Sequence, residues 1–539
     1  MNDSVATLPS MSGPALDRYD VVVLGGAFSG AATALLLKRD HPEISVLVVE
    51  KSKQFDLKVG EATTEMSAMF MTRRLALWRH LENEQLPKEG LRYWFHNDKV
   101  RHHWEATETG GFVRSAVPSF QLRRDVLDQK ILDDAVEAGA ELVRPARARD
   151  VELGTFDHRV TIDQAGESFA VSCRWVIDAT GRATFLGRKL GIVERNEQHP
   201  TAAFWARFRN LRHIDDLAAR GPVEFARRNL SSRRLATNHY TGRGYWVWVI
   251  PHGNGETSVG VVWDRRLLDL HERADREAAF REFLSHQVPL CELLDGSEMR
   301  SEDFRYYSNL AYATSRYMGD GWALVGDAAV FLDPYYSPGL DHCSFSSEAT
   351  AEIVAMDLAG APIGERAKEH NETFVRSYWR FFEAVFKDKY FYMGEADLLS
   401  AAFLLDTAQY YIFVVIPAYR VFGRFHWLPV LGPKEAFFNY HLMRFYNRRL
   451  KRIAELRAEL GQAGKHNAGR RIRAYFALDS AAFRMALRGL RLWLAAELDT
   501  AWLRLKRLFL PRRSPRDPTT DRLRRRRWRE SARTARRSV

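Results

Sequence analysis

A glycine-rich turn lies between two apolar segments near the N-terminus of this 539-residue chain. Residues 19–24 (YDVVVL) are short and rich in valine, which is typical of a buried parallel strand. Residues 25–30 (GGAFSG) form the turn, and residues 31–37 (AATALLL) have the composition of a helix. A strand, a glycine turn and a helix in this order are the context that a dinucleotide fingerprint requires. We therefore expect an α/β fold with a Rossmann-like domain.

The turn predicts how a dinucleotide would bind. The predicted cofactor-binding residues in it are Gly25, Gly26, Ala27, Ser29 and Gly30. Gly25 permits the tight turn and Gly30 permits close packing of helix on strand, whereas Ala27 stands where a second glycine is usual. The diphosphate would lie at the helix N-terminus, where N–H groups and the helix dipole favour an anion. A second strand, 44–49, ends at Glu50, an acid at the offset suited to ribose hydroxyls.

Three later segments resemble motifs of FAD-dependent aromatic monooxygenases. Residues 326–329 (GDAA) follow a predicted strand, and in those enzymes the acid at the position of Asp327 meets the ribityl chain of the flavin. Residues 178–181 (DATG) resemble their central turn, and Arg124 with the helix after it resembles their early arginine segment. The resemblance covers about residues 18–345 and implies that the nucleotide is FAD.

Residues 246–251 (WVWVIP) resemble the signature of flavin-dependent halogenases, which share the monooxygenase scaffold. A simpler interpretation of Trp246 and Trp248 is a half-buried strand with alternating aromatic residues. The resemblance implies a mixed β-sheet substrate domain, formed by about residues 85–120 and 195–310, interleaved with the FAD-binding domain. It also implies chemistry in which reduced FAD and oxygen convert halide to hypohalous acid, which a lysine directs onto an aromatic ring.

Lys88 is the candidate for that lysine. Phenol- and pyrrole-type halogenases carry a Lys-x-Gly segment at this distance after Val-Gly-Glu, and here residues 59–61 (VGE) precede residues 88–90 (KEG). Lys58, directly before the first segment, is the competing candidate. The alternative is that Lys88 is an ordinary surface lysine. A buried ammonium group would have a lowered pKa, which suits a proton donor or a haloamine former.

Residues 333–339 (DPYYSPG) match the loop that holds halide against the flavin in this family. The predicted halide and motif residues are Ser337 and Gly339 of this loop together with Trp246 and Trp248 of the signature, and Pro334 and Gly339 are also predicted to contact the cofactor. The family uses two successive backbone N–H groups, at the positions of Pro338 and Gly339, but proline has no N–H. The site would use Gly339 alone, accept the less hydrated bromide, or bind no halide. Tryptophan halogenases have a glutamate where Tyr336 stands, so free tryptophan is not the expected substrate.

Three hypotheses about function remain open. The first is a halogenase that takes reduced FAD from a separate flavin reductase and halogenates a phenol, a pyrrole or a carrier-bound aryl group with chloride or bromide. The loop at residues 333–339 and the segment Lys58–Glu61 also resemble halogenase-like enzymes of aryl-polyene pathways. The second is an FAD-dependent aromatic monooxygenase without halide chemistry, and the third a membrane-peripheral protein that retains FAD without turnover. The tryptophan pair favours the first hypothesis, and Pro338 favours the second.

Composition indicates a cytoplasmic globular enzyme. Hydrophobic residues make up 46% and no run of eighteen apolar residues occurs, so we expect no membrane span and no secretory signal. The three cysteines are widely spaced, which indicates a reducing compartment and no metal site. Residues 346–510 have a helical pattern, and the apolar segment 410–417 predicts a core helix or a lid over the substrate.

Positive charge is concentrated at the C-terminus. Residues 511–539 contain twelve arginines and three acids, an excess of nine charges in a chain whose net charge is +12. We expect this tail to be disordered. The preceding helix has leucines at helical spacing with arginines between them, which indicates binding to an anionic surface, either the inner membrane surface or an acidic carrier protein. The alternative is a solvated tail, and no specific nucleic acid is expected as a partner.

Overall fold

The parallel sheet predicted from the N-terminal segment is present and supports the nucleotide turn. The computed structural model describes residues 13–227, 229–270, 275–420 and 429–507. Arg18–Leu24 runs parallel to its neighbours on both sides, and its valines are fully buried because both faces of the sheet are covered. The strand order is Met318–Gly319, Trp322–Leu324, Glu167–Asp178, Arg18–Leu24, Val46–Val49 and Glu141–Val143. His158–Gln164 pairs antiparallel with Glu167–Asp178, and Arg147–Glu152 pairs antiparallel with His158–Gln164.

Helices from three distant parts of the chain meet on this sheet. Phe28–Asp40 follows the glycine turn directly and packs against Arg124–Glu137 and Gly339–Leu358. Leu35, Leu36 and Leu37 are all buried, because the helix is enclosed by its neighbours and has no solvent-facing side at these positions. The N-termini of the sheet's helices therefore converge at the end of the parallel strands.

A second, mixed sheet forms the predicted substrate domain. Its strand order is Glu298–Met299, Thr201–Arg209, Thr257–Asp264, Tyr245–Pro251, Thr237–Gly242, Leu91–Phe95, Thr107–Gly111 and Arg471–Ala474, with Arg305–Ser308 also paired to Thr201–Arg209. Every residue of Tyr245–Pro251 is buried, so Trp246 and Trp248 belong to a central strand covered on both faces. The α/β fold class with an interleaved mixed sheet is confirmed.

Smaller elements connect the two sheets. Val193–Arg195, Tyr312–Thr314 and Val330–Phe331 form a three-stranded sheet, and Leu86–Pro87 pairs with Phe120–Gln121. Short helices and helical turns occur at Glu65–Met69, Phe70–Arg74, Trp78–Glu84, His103–Glu105, Gly181–Ala183, Phe185–Lys189, Ile214–Arg220, Val223–Arg227, Arg276–Ser285, Val288–Leu294, Ser301–Asp303 and Gly326–Ala328.

The C-terminal region is mainly helical, with one exception to the prediction. Its helices are Gly364–Phe381, Phe382–Phe386, Lys389–Tyr392, Ala396–Tyr410, Tyr411–Val415, Ile416–Arg420, Lys434–Ala436, Phe437–Glu459 and Ser480–Arg507. The all-helical prediction for residues 346–510 is corrected by Arg471–Ala474, a strand parallel to Thr107–Gly111. Ile472 and Ala474 are buried and Arg473 is exposed, a period-two pattern too short to stand out in the sequence.

One long apolar helix runs through this region. Among the described residues, Ala396–Tyr419 alone has the length and hydropathy of a membrane span, and 61% of its most apolar window is buried within the protein. Ala396–Tyr410 packs against Ser480–Arg507 and Phe437–Glu459, which accounts for its apolar composition as a core helix. The arginine-rich tail, 511–539, lies outside the described residues.

Candidate flavin and substrate site

The nucleotide turn has a geometry that only glycine permits at two positions. Gly25 has a φ of +102°, and a Cβ atom there would lie 2.6 Å from the carbonyl oxygen of Ala179. A Cβ atom on Gly30 would lie 1.8 Å from the carbonyl oxygen of Gly25. Ala179 belongs to the 178–181 turn, so two of the predicted motifs are in contact. The backbone thus forms the close cradle that a dinucleotide requires.

The other residues of the turn brace this cradle. Ala27 is the N-cap of Phe28–Asp40 with extended backbone, and Ser29 lies against Gly326, where an added Cβ would meet its Oγ at 2.3 Å. Gly26 donates its N–H to Oε2 of Glu50 at 2.7 Å, and a second backbone N–H, from Ser52, reaches Oε1 at 2.7 Å. Glu50 is therefore held at the turn, and its contact with ribose stays a prediction.

Positive side chains surround the predicted flavin contacts. Arg124 begins its helix and binds both carboxylate oxygens of Asp128, at 2.9 and 3.2 Å. Lys58 binds the same carboxylate at 3.1 Å, which places it on the flavin side of the molecule. Burial raises the pKa of Asp327, and Arg182, Arg124 and Lys58 oppose that rise. A glycine cradle, three cations and one acid fit the diphosphate and ribityl groups of FAD.

Lys88 is a buried residue, so the surface-lysine interpretation is wrong. It lies between Leu86–Pro87 and Leu91–Phe95, and its backbone is hydrogen-bonded twice to Ser119, at 2.8 and 3.1 Å. Its side chain donates from Nζ to the carbonyl oxygen of Thr63 at 2.5 Å, and the residue is 5% exposed. Burial lowers the pKa of Lys88 to about 8, although nearby Glu65 and Asp341 raise it.

Lys88 lies in the wall of a cavity of about 220 Å³. One side of this cavity comes from the FAD-binding and substrate domains, including Thr63, Tyr336 and Pro338. The other side comes from the C-terminal helical region, which therefore closes the pocket. Its apolar lining residues include Phe381, Val385, Phe413, Val414, Val430, Leu431, Met443 and Phe476. Lys58 does not line this cavity, and Lys88 is the lysine that the structure brings to it.

Two carboxylates next to Lys88 were not predicted from the sequence. Asp341 lines the cavity and accepts hydrogen bonds from the Thr64 hydroxyl, from the Ser67 backbone N–H at 2.9 Å and from the Tyr410 hydroxyl at 3.1 Å. Burial raises the pKa of Asp341 to about 6. Glu65 accepts a hydrogen bond from a second tyrosine hydroxyl, that of Tyr411, at 2.7 Å. An acid two residues after Gly339 was the only signal in the sequence for this cluster.

The predicted halide loop ends at a helix N-terminus beside the cavity. Tyr336 and Ser337 have φ angles of +73° and +58°, which is strained for residues with a side chain. The Ser337 N–H donates to the carbonyl oxygen of Pro334 at 3.0 Å. Pro334 and Ser337 therefore shape the loop, and neither of them lines the cavity. Pro338 lines the cavity as the N-cap, and Gly339 is the first residue of a 20-residue helix, where N–H groups have no intrahelical acceptor.

The tryptophan pair lies behind this loop. Trp246 donates from Nε1 to the Tyr390 hydroxyl at 3.0 Å, and Tyr390 donates to Oδ2 of Asp333, the first residue of the loop, at 2.8 Å. Trp248 donates to the hydroxyl of Ser258 at 3.0 Å. Neither tryptophan lines the cavity, and their part in the halide site stays a prediction. Trp246 acts on the loop through two other side chains.

A buried ion pair ties the loop to the C-terminal region. The Tyr336 hydroxyl donates to Oδ2 of Asp406 at 3.0 Å, and Lys389 binds the same oxygen at 2.6 Å. Lys389 is fully buried, and burial lowers its pKa. Removing one partner would leave an uncompensated buried charge, which is strongly destabilising. Tyr336, at the position of the tryptophan-halogenase glutamate, therefore fixes the helix Ala396–Tyr410 over the cavity.

Replacing Lys88 with methionine is expected to remove a pH-dependent part of the folding free energy. The pKa of Lys88 is about 8 in the folded protein and about 10.5 when unfolded, so the folded state binds fewer protons between these values. Wild-type stability should therefore rise relative to Lys88→Met as pH increases over this interval, by up to about 3 kcal/mol. Denaturant unfolding at several pH values measures the difference, and a difference independent of pH would contradict a depressed pKa.

Comparisons with known proteins agree with the FAD-binding fold and with FAD as the cofactor. The FAD binding domain family matches residues 18–342. Flavin-dependent halogenase chlA of Dictyostelium discoideum is 25% identical over 77% of this chain and 73% of its own length. A 1H-pyrrole-2-carbonyl-(peptidyl-carrier protein) chlorinase of Pseudomonas fluorescens is 23% identical over 67% of this chain and 80% of its own. The crystal structure of halogenase PltM with phloroglucinol and FAD has a TM-score of 0.68 at 18% identity, covering 89% of this chain and 96% of that one.

The chain belongs to the FAD-binding-domain family. Its resemblance to flavin-dependent halogenases is confirmed, and it is a halogenase-like, FAD-dependent oxidoreductase. FAD is its cofactor, as the motifs around Gly25 and Asp327 predict.

Proposed function

We propose that this protein is a flavin-dependent halogenase that attaches chlorine or bromine to an electron-rich aromatic ring. The observation that carries the proposal is a buried lysine of lowered pKa, Lys88, in one cavity with the N-terminus of the helix that begins at Gly339. When bound, reduced FAD together with oxygen supplies the oxidising equivalents that convert halide to hypohalous acid. The protein's own residues then have to bind halide, hold hypohalous acid and orient the ring.

Lys88 is the residue that we propose delivers the halogen. Its Nζ atom already donates to the Thr63 carbonyl, which fixes the direction of the side chain. A further N–H would donate to the oxygen of hypohalous acid and release that oxygen as water when the ring carbon takes the halogen. With a pKa of about 8, the ammonium gives up a proton at less cost than an exposed lysine does. A lowered pKa suits a proton donor that acts only in the transition state.

The halogenated ring must then lose a proton, for which Asp341 is the proposed acceptor. Its carboxylate faces the cavity, and its pKa of about 6 makes it a stronger base than an exposed aspartate while leaving it mostly ionised at neutral pH. The hydrogen bonds from Thr64, Ser67 and Tyr410 fix its orientation. Glu65 lies near the same ammonium and balances its charge.

Pro338→Ala is expected to increase the use of chloride. The backbone φ of Pro338 is −76°, which alanine adopts without strain, and alanine adds an N–H at the cavity wall. A hydrogen bond to a charged group contributes about 1.5–3 kcal/mol, so chlorinated product formed at limiting chloride should rise by about tenfold or more. Mass spectrometry of products at matched chloride and bromide concentrations gives the ratio. Pro289→Ala, which adds an N–H at the start of the helix Val288–Leu294 and lies outside the cavity, is the control that should leave the ratio unchanged.

The proposed substrates are phenols, pyrroles and aryl groups carried on a carrier protein. Two similarities support this range, since one relative is named for a pyrrole-carbonyl carrier substrate and one similar structure holds phloroglucinol. The cavity of about 220 Å³ accommodates a single aromatic ring with small substituents. A separate flavin reductase is the proposed source of reduced FAD, and the cytoplasm is the proposed location.

A second candidate function is hydroxylation on the same scaffold, which Pro338 favours because one halide donor of the family is missing. Omitting halide separates the two functions. A halogenase supplied with reduced FAD, oxygen and a phenol consumes flavin but forms no aromatic product without halide. A hydroxylase forms the same product at the same rate whether halide is present or not, and that result would replace the proposal.

A further inference from the structure

The helix Ser480–Arg507 presents an apolar stripe to solvent. The stripe consists of Phe483, Leu487, Leu490, Leu494, Leu498, Trp502 and Leu505. These residues are spaced three or four apart, so they lie on one side of the helix. Each is between 39% and 74% exposed. A single exposed apolar side chain needs no explanation, but seven apolar side chains in one row along a helix indicate an interaction surface.

The helix Ser480–Arg507 packs on the protein through a different face. The opposite side of the helix carries its own apolar residues, including Met485 and Leu503, which are buried. Gly489 permits close packing there, since a Cβ atom on it would lie 2.8 Å from Cγ of Leu405 in the helix Ala396–Tyr410. The helix is thus held to the protein by one face, and the stripe is a second apolar face.

The charges around the stripe are arranged by sign. The acidic residues of the helix form ion pairs with neighbouring parts of the protein: Glu497 binds Arg449 at 2.5 Å, and Asp499 binds Lys465 at 2.6 Å. The basic residues beside the stripe are Arg484, Arg488, Arg491 and Arg504. The arginine-rich segment 511–539 follows a few residues after the helix and adds an excess of nine positive charges. The outward face is therefore both apolar and positively charged.

Further exposed aromatic residues lie on elements that contact this helix. The rings of Phe445 and Trp493 are 5.9 Å apart, which joins the helix Ser480–Arg507 to the neighbouring helix Phe437–Glu459. Phe437 and Phe438, at the start of that helix, are also exposed. Phe413 is 54% exposed, lines the cavity, and lies in the segment Tyr411–Val415 that contacts Ser480–Arg507.

We propose that this apolar and basic face docks on an anionic lipid bilayer and places the cavity mouth at the lipid surface. Apolar side chains on one side of a helix with arginines beside them fit the boundary between acyl chains and anionic headgroups. A second copy of the chain on a two-fold axis would set the same arginines against each other. An acidic protein would pair with the arginines but leave the apolar stripe against charge.

The test is sedimentation of the full-length, FAD-loaded protein with lipid vesicles. One vesicle is phosphatidylcholine alone, and the other contains phosphatidylglycerol as well. We expect binding to the anionic vesicle that weakens with salt. Leu487→Gln, Leu494→Gln and Leu498→Gln combined should lower it by at least about tenfold. Arg484→Gln, Arg488→Gln and Arg491→Gln combined should lower it by about a hundredfold on anionic vesicles only.

Controls distinguish this surface from other causes. The substitutions Phe156→Gln, Val223→Gln and Leu230→Gln remove equally exposed apolar residues elsewhere and should leave binding unchanged. FAD content and the thermal unfolding midpoint show that each variant is folded. Product formation on a soluble phenol is measured in parallel, so that a failure to halogenate is separate from a failure to bind lipid.

Three outcomes would overturn the proposal. Wild-type binding that the leucine substitutions leave intact would assign membrane affinity to residues 511–539 alone. A self-associating protein that becomes monomeric with the leucine substitutions, without vesicle binding, would make the stripe an interface between copies. Binding to an acidic carrier protein, but to neither vesicle, would assign the face to a protein partner.

Discussion

Lys88→Met should abolish formation of halogenated product while leaving FAD bound. Methionine preserves most of the side-chain volume in a site that is only 5% exposed, but its thioether cannot donate a hydrogen bond or a proton to hypohalous acid. We expect product formation to fall by about 10²–10⁴-fold, the size of effect associated with a positioned proton donor. Product per bound FAD, measured by mass spectrometry under identical flavin supply, gives the effect.

Lys58→Met is the matched control for this experiment. Lys58 binds Asp128 and lies outside the substrate cavity, so its loss should weaken FAD binding and leave product per bound FAD near the wild-type value. If Lys88→Met formed product at the wild-type rate while Lys58→Met did not, the two assignments would be reversed. The pair therefore tests which lysine acts on the halogen.

Gly30→Val should produce a protein without FAD. A Cβ atom at this position would lie 1.8 Å from the Gly25 carbonyl oxygen, so even the first carbon of a side chain forces the helix away from the strand. The diphosphate cradle would open, and we expect flavin content after purification to fall to near zero. The ratio of flavin absorbance to protein absorbance measures it, with circular dichroism to confirm secondary structure.

Gly364→Val provides the comparison, because Gly364 also lies in the first turn of a helix but an added Cβ meets no atom within 4 Å. This variant should retain FAD. A Gly30→Val protein that still purifies with stoichiometric FAD would contradict the assignment of the cofactor site. Should Gly30→Val fail to fold, Gly30→Ala, with the same first carbon and no more, replaces it in the same measurement.

The sequence predicted those features that local patterns determine. A valine-rich strand, a glycine turn and a helix are consecutive in the chain, so the nucleotide cradle was evident before the structure. Lys88 was found from its spacing to residues 59–61 in a known family. Asp341 was missed because its partner Thr64 is 277 residues away, and nothing in either segment alone indicates the pair. The strand Arg471–Ala474 was missed because its period-two pattern covers only four residues.

Trp246 shows that two interpretations of one pattern can both hold. It lies in a strand with alternating aromatic residues, as the simpler interpretation predicts, although the strand is buried along its whole length and not half-buried. Its Nε1 also starts a hydrogen-bond chain through Tyr390 to Asp333, the residue that begins the predicted halide loop. Tyr390 lies 144 residues after Trp246 in the sequence. The sequence could therefore single out this tryptophan by its motif but could not indicate which loop it contacts.

The halide loop itself remains the part of the site least determined by the sequence. Proline at 338 removes one backbone donor, yet the structure places Pro338 at the start of a long helix whose first N–H groups face no intrahelical acceptor. Proline at 338 therefore removes one backbone N–H, while the first backbone N–H groups of the helix Gly339–Leu358 remain as donors at the same site. This is why the choice between halogenation and hydroxylation rests on measurement of the product.

The mass of the aromatic product is the most direct test of the account. FAD-loaded protein, a flavin reductase, oxygen and a panel of phenols and pyrroles would be incubated with chloride, with bromide and without halide. We expect a product that carries the isotope pattern of the added halogen and that disappears with Lys88→Met. A product that gains only oxygen, equally with and without halide and in both proteins, would contradict it.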